Sequence, residues 1–305
     1  IEKSCKRDIN FMYLLEGKPA PDHATVARFI SLHLSQCSKN ILAEVSNILF
    51  ELGEISGRHI FIDGTKIESA ANRYTFVWKK AVTKNQAKLL IKIADLIADA
   101  GYESEENYLF IEENGQIAYI KPSNYERSKK ARYRNDIGRA ENMTYDEEEN
   151  SYVCHNGKKL EWRCDTERTS KTGYTRVTSI YECKECKGCP CKTDCIHGNH
   201  CKTPIEERKK TLHVQKTLNA KRKECVERIT SNYGKQLRMN RSIQVEGSFA
   251  DIKADMGFRR YTYRGMENIL AQNIILAIAH NINKLHNKIQ NDCTGQHFFE
   301  LKKSA

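Results

Sequence analysis

Three carboxylates and one lysine stand out by type and by setting. In Gln244-Val245-Glu246-Gly247-Ser248-Phe249-Ala250-Asp251-Ile252-Lys253, the residues Val245, Phe249, Ile252 and Met256 recur at i, i+4, i+7 and i+11. That is one apolar stripe of a helix. Glu246 and Lys253 are seven apart, so the acid and the ammonium stand two turns from each other on a single face. Far upstream, Asp63 closes the strand-like run Ile60-Phe61-Ile62 and is followed by the turn residue Gly64. Asp99 closes a similar approach, Leu96-Ile97-Ala98. Carboxylates are hard oxygen donors, and a set of them that leaves water on the ion suits Mg²⁺ or Mn²⁺. Taken singly, each acid reads first as a solvated surface group.

The phrases around these residues carry more than the acids do. IDGTKIES, IADAGYESEENYLF and NRSIQVEGSFADIKADMGFRRY resemble the transposases of bacterial insertion sequences, the cut-and-paste DDE class with a ribonuclease-H-like catalytic domain. The resemblance covers about Arg7 to Gln290. It implies that Asp63 follows the first strand of the catalytic sheet, Asp99 the fourth, and that Glu246 lies on a late helix. These three would be the catalytic acids, holding two divalent ions about 3.5–4 Å apart for strand cleavage and transfer. Asp63 would bridge both ions, with Asp99 on one and Glu246 on the other. Lys253 matches the family's lysine seven residues past the glutamate and would contact DNA phosphate. The family's arginine four residues before the glutamate is not matched; Ser242 sits there, with Arg241 one place earlier. Implied partners are transposon terminal inverted repeats and target DNA, bound by a homodimer. The implied location is the bacterial cytoplasm, on the nucleoid.

Composition points the same way. The 305 residues carry 50 Lys and Arg against 39 Asp and Glu, a net charge of +11, which favours a polyanionic partner over an acidic small molecule. No apolar run approaches the roughly 18 residues that would span a bilayer, and no signal peptide is expected. The chain opens at Ile1 without a methionine, so its true start is expected upstream. Twelve cysteines in so long and lysine-rich a chain argue for thiols or a metal rather than a secreted disulfide scaffold.

The expected class is α/β: a ribonuclease-H-like mixed sheet with flanking helices, a helical N-terminal region and a β-rich, cysteine-containing insertion. The expected divisions are 1–56, helical and DNA-binding; 57–120, the first part of the catalytic core; 121–204, the insertion; and 205–305, the helical remainder carrying Glu246. Asp22 should cap a helix from Ala24 to Leu34, where Val26, Phe29, Ile30 and Leu34 keep helical spacing. Glu103 to Asn107 marks a helix start, Ala118-Tyr119-Ile120 a strand, and Asn156-Gly157 a hairpin turn. From Thr203 on the chain reads as helical, ending in an apolar helix, Ile269 to Leu285, that should pack on the sheet. Between Asp63 and Asp99 stand 35 residues (64 through 98), where the resemblance to a ribonuclease-H-like core implies two strands and a helix. A strand pair with its turn takes about 12–15 residues by itself. The shortness points to an internal deletion just before Ile97, with a compact hairpin over 72–84 as the other reading.

Two clusters remain. Cys183, Cys186, Cys189 and Cys195 fall at spacings that suit a closed tetrahedral Zn²⁺ site and resemble the family's recurring cysteine pattern, with Cys191, Cys201, His197 and His200 nearby. The competing reading is a loop of reduced thiols. Arg259, Arg260 and Arg264, interleaved with Tyr261 and Tyr263, suit phosphate forks and base stacking; the competing reading is a solvated helix end. The functional alternative to an active transposase is a catalytically inactive remnant that only binds DNA.

Overall fold

The computed structural model describes residues 1–65, 67, 94–197 and 202–296. The expected hairpin over 72–84 lies outside these residues. The chain divides into two compact units: 1–59, 63–93 and 240–305 form one, and 60–62 with 94–239 form the other.

In the first unit four helices open the chain: α1 (Glu2–Cys5), α2 (Ile9–Leu14), α3 (His23–Phe29) and α4 (Ser35–Glu51). The Asp22 side chain accepts the Thr25 N–H at 2.6 Å, so the expected cap is formed. The helix expected to run on to Leu34 continues as a π turn, Ile30–Leu34. The C-terminal helix spans Met266–Gln290 and buries Ala271, Ile274 and His280. Its main packing partner is α4, not a sheet as its apolar run suggested. Both helices carry apolar faces, and helix-on-helix packing buries such a face as well as a sheet would. Glu54, just after α4, ties the far end together by accepting from Lys288 Nζ and from the Gly295 N–H.

The second unit holds two sheets. Strands β1 (His59–Ile62), β2 (Asp95–Ala98) and β3 (Ile117–Ile120) lie in the order β1-β2-β3. β2 and β3 run parallel, Asp95 opposite Ile117 and Ala98 opposite Ile120. A parallel pair needs a crossover, and the helix Glu105–Glu113 supplies it. That helix starts where expected: Ser104 Oγ accepts the Asn107 N–H at 3.0 Å, with Glu105 and Glu106 in the first turn, next to the positive end of the helix dipole. Ile97, Ile120, Cys225, Ile229 and Leu237 form the fully buried core under this sheet.

The second sheet is a five-stranded antiparallel meander, β4 (Thr144–Asp146), β5 (Ser151–Val153), β6 (Lys159–Thr169), β7 (Thr175–Glu182) and β8 (Thr211–Val214), in sequential order. Gly157, at φ 70°, turns the chain between β5 and β6, as Asn156-Gly157 suggested. β8 corrects the reading of an all-helical segment from Thr203. Leu212 and Val214 alternate inward, 6% and 3% exposed, and pack with Tyr152, Leu160 and Tyr181. Helix resumes only at Lys216–Thr230.

Candidate active site

Asp63 stands where β1 ends, half-buried. Its Oδ1 accepts the N–H of Gly64 at 2.7 Å, and its Oδ2 accepts Arg241 Nη1 at 2.8 Å. The two side chains of this ion pair are 22% and 15% exposed. Two residues on, Thr65 Oγ1 accepts the ammonium of Lys253. The helix that bears Glu246 is thus clasped to the turn 63–65 on both sides of the glutamate, five residues before it and seven after. Glu246 itself is exposed, and its Oε1 accepts Ser242 Oγ–H at 2.9 Å.

This helix is not the regular α-helix that the apolar stripe suggested. Asn232–Arg241 is α-helical, Ser242–Glu246 is a π turn, Gly247–Ala250 returns to α, and Asp251–Asp255 is a second π turn. In an unbroken α-helix, residues five apart diverge by about 140°. The i→i+5 turn brings Arg241 back to the side of Glu246. Val245, Phe249, Ile252 and Met256 all remain half-buried, so the stripe keeps its role as the packed face. His280 of the C-terminal helix supports the segment, 3.2 Å from Ser248 Oγ and 3.8 Å from Asp251 Oδ2. Burial, reinforced by Lys284, holds this imidazole below its ordinary range.

Asp99 belongs to the second unit. It follows β2 as expected and opens a 3₁₀ turn, Ala100–Tyr102, without a side-chain capping bond. Just beyond that turn, Glu103 accepts two hydrogen bonds from Arg222, at 2.7 and 2.9 Å, and the Ser123 N–H at 2.9 Å. Burial pushes the Glu103 carboxyl up, but these donors outweigh it and hold the group below the usual range. Among the described residues, no three His, Cys, Asp or Glu side chains stand as a formed metal centre.

Arg259, Arg260 and Arg264 are exposed after the Glu246 helix, with Arg259 Nε 3.4 Å from Lys253 O. Tyr261 does not stand beside them as a free stacking surface. It is 7% exposed, packs edge-on against Phe258 at 5.5 Å, and donates its hydroxyl to Asn273.

Of the four cysteines expected to hold zinc, Cys183 and Cys186 are buried in the core of the five-stranded sheet and Cys195 packs against it. Cys189 Sγ lies 3.6 Å from Asn156 Nδ2 in the β5–β6 turn. The same turn brings in Cys154, which packs on that core and lies within electrostatic reach of Cys183 and Cys195. Cys186 Sγ accepts the Lys210 N–H at 3.3 Å. Burial pushes the Cys183 thiol up to about 12, with Cys186 adding to the shift. His197 pairs with Asp136 at 3.0 Å, whereas His200 and Cys201 lie outside the described residues.

Sequence reasoning left out Thr65, Ser242 and the Glu103–Arg222 pair. Ser242 was visible only as the residue standing where an arginine was expected. A search of characterised proteins and one of solved structures each found no match to this chain. A family model does match: residues 153–286 fit the transposase DDE domain. The matched span opens in β5, runs through the cysteines and β8, and takes in Arg241, Glu246 and Lys253. Over this span, less than half of its length, the chain is similar to the transposase DDE domain.

Proposed function

We propose that this chain is a transposase that cuts DNA at transposon ends and joins them to target DNA, with Asp63, Asp99 and Glu246 as the acids that hold divalent metal. The observation that carries the reading is the double clasp, Arg241 on Asp63 and Lys253 on Thr65, which sets the glutamate helix against the first acid across 178 and 188 residues of sequence. The donor set suits Mg²⁺ or Mn²⁺, being hard, partly exposed carboxylates. When bound, such ions activate the attacking oxygen and neutralise the leaving one. The chain's own residues do the rest. The Gly64 N–H and Arg241 fix the rotamer of Asp63, and the Ser242 hydroxyl orients Glu246. Lys253, Arg259, Arg260 and Arg264 offer phosphate contacts, and Arg241 joins them when it leaves Asp63.

We further read the β1-β2-β3 sheet as part of a ribonuclease-H-like core, and the Cys183, Cys186, Cys189 and Cys195 thiols as donors for a structural Zn²⁺. A homodimer on paired ends is the expected assembly. The test is cleavage of a DNA carrying the element's own ends, with Mg²⁺, by the unmutated chain and by Glu246→Gln. Metal-dependent nicking lost in the variant supports the reading. Binding without nicking by the unmutated chain would overturn it and leave a DNA-binding remnant.

A further inference from the structure

Each first-unit acid of the candidate site already has a partner, and the partners are neighbours in sequence. Arg241 serves Asp63 and Ser242 serves Glu246. Ser242, four residues before Glu246, neighbours it as on any helix, whereas Arg241, five before, is returned to the working side because the Ser242–Glu246 π turn absorbs one residue. The arginine is committed. Its side chain is 15% exposed, against 59% for the lysine of the surface pair Lys6–Glu2 in the same unit. Since Gly64 already takes Asp63 Oδ1, the guanidinium at Oδ2 leaves neither oxygen of that carboxylate without a donor.

We propose that Arg241 is a resident counter-ion of Asp63 that a divalent cation must displace, so that loading the first acid with metal and releasing the arginine are one exchange. This rests on the reading of Asp63 as a metal-holding acid. The physical reason is like-charge repulsion. In a half-buried setting, one carboxylate oxygen cannot keep a guanidinium at contact distance while it accepts a doubly charged ion. A ligand shifts an equilibrium only by its preference for one state, so the arginine's hold on Asp63 lowers the apparent metal affinity of the closed state. The same contact keeps the acid from lying unpaired before metal arrives.

The experiment is a Mn²⁺ titration of the full chain, followed by the electron paramagnetic resonance signal of the free ion. Four proteins are compared: the unmutated chain, Arg241→Gln, Asp63→Asn, and Lys235→Gln. The last removes the same charge from the same helix, at an exposed position. Arg241→Gln should bind Mn²⁺ about five- to tenfold more tightly than the unmutated chain, the amount a partly exposed ion pair of about 1 kcal/mol withholds. Lys235→Gln should stay within about twofold, since a distant exposed charge is screened. Asp63→Asn should lose the site, alone and combined with Arg241→Gln. Should the glutamine variant melt early, Arg241→Lys gives the same ordering with a smaller gain. If the unmutated chain binds through Asp63 and neither Arg241 variant binds more tightly, the exchange is wrong and the metal reading stands. If Asp63→Asn binds as the unmutated chain does, the metal reading falls and the exchange falls with it.

Discussion

Replacing Arg222 by Leu should cost the second unit much of its stability and loosen Asp99 with it. Arg222 holds Glu103 through Nε and Nη2 at 2.7 and 2.9 Å, and Glu103 is only 3% exposed in its side chain. Without the guanidinium, the carboxylate keeps the Ser123 N–H and a long contact to Tyr108 Oη at 3.5 Å. Breaking a buried pair by removing one partner typically costs about 3–5 kcal/mol, most of it the stranded charge. For a unit of this size that is roughly 6–20 °C in melting temperature. The sign with pH follows from the carboxyl. Glu103 is held below its ordinary 4.5 in the folded chain, so its contribution is present above that pH and is lost as pH falls through the folded value. In Arg222→Leu that contribution is gone, and the gap to the unmutated chain should narrow on acidification. Urea melts at pH 7 and pH 4 measure both effects, and Glu103→Gln/Arg222→Leu should recover part of the loss. A single variant that melts within about 1 kcal/mol of the unmutated chain at pH 7, the range of an exposed pair, would refute the reasoning.

Further outcomes follow from the same coordinates. Lys253→Gln should weaken DNA binding across all sequences and flatten its salt dependence by about one ion, measured by fluorescence anisotropy between low and moderate salt. Gly234→Ala should destabilise by about 1–3 kcal/mol or more, because an added Cβ would meet the Arg228 carbonyl oxygen at 2.0 Å and Ile229 Cα at 2.7 Å, backbone atoms that cannot swing aside; a denaturant midpoint checks it. Because His280 is held below its ordinary 6.5, the unfolded chain takes up that proton first as pH falls. The contribution of neutral His280 should therefore be present above about pH 6.5 and fade toward its folded value, and His280→Gln should remove that part of the slope of melting temperature against pH.

Much of the local structure was legible because short-range physics decides it. Asp22 and Ser104 cap helices through bonds that span three residues, and Asn156-Gly157 turns a hairpin because glycine tolerates positive φ. Asp63 and Asp99 each follow a strand as the apolar runs required. β8 was missed because Leu212 and Val214 make only two inward steps in a basic, helix-like neighbourhood. What makes those four residues a strand is the edge of β7, a partner that periodicity does not record. The C-terminal helix was misplaced for a similar reason. An apolar face says that it will be buried, not whether a sheet or α4 buries it.

The candidate site shows where such reading stops. The spacing of Glu246 and Lys253 was read as two turns of one α-helix, and both residues are on the helix clasped to the Asp63 turn. The resemblance placed an arginine four residues before the glutamate, and Arg241 stands one place earlier. A π turn has no sequence signature of its own, since it is stabilised by what its displaced side chains reach. Here Arg241 reaches Asp63 from a position that a regular helix would turn away from the side of Glu246. The irregularity is therefore best understood as a consequence of the site rather than a feature of the helix. If so, Arg241→Ala removes a reason for the π turn, and amide exchange over Ser242–Gly247 should change more in that variant than over the α-helical stretch Asn232–Asn240. Equal protection changes in both stretches would mean that the turn is set by backbone packing alone.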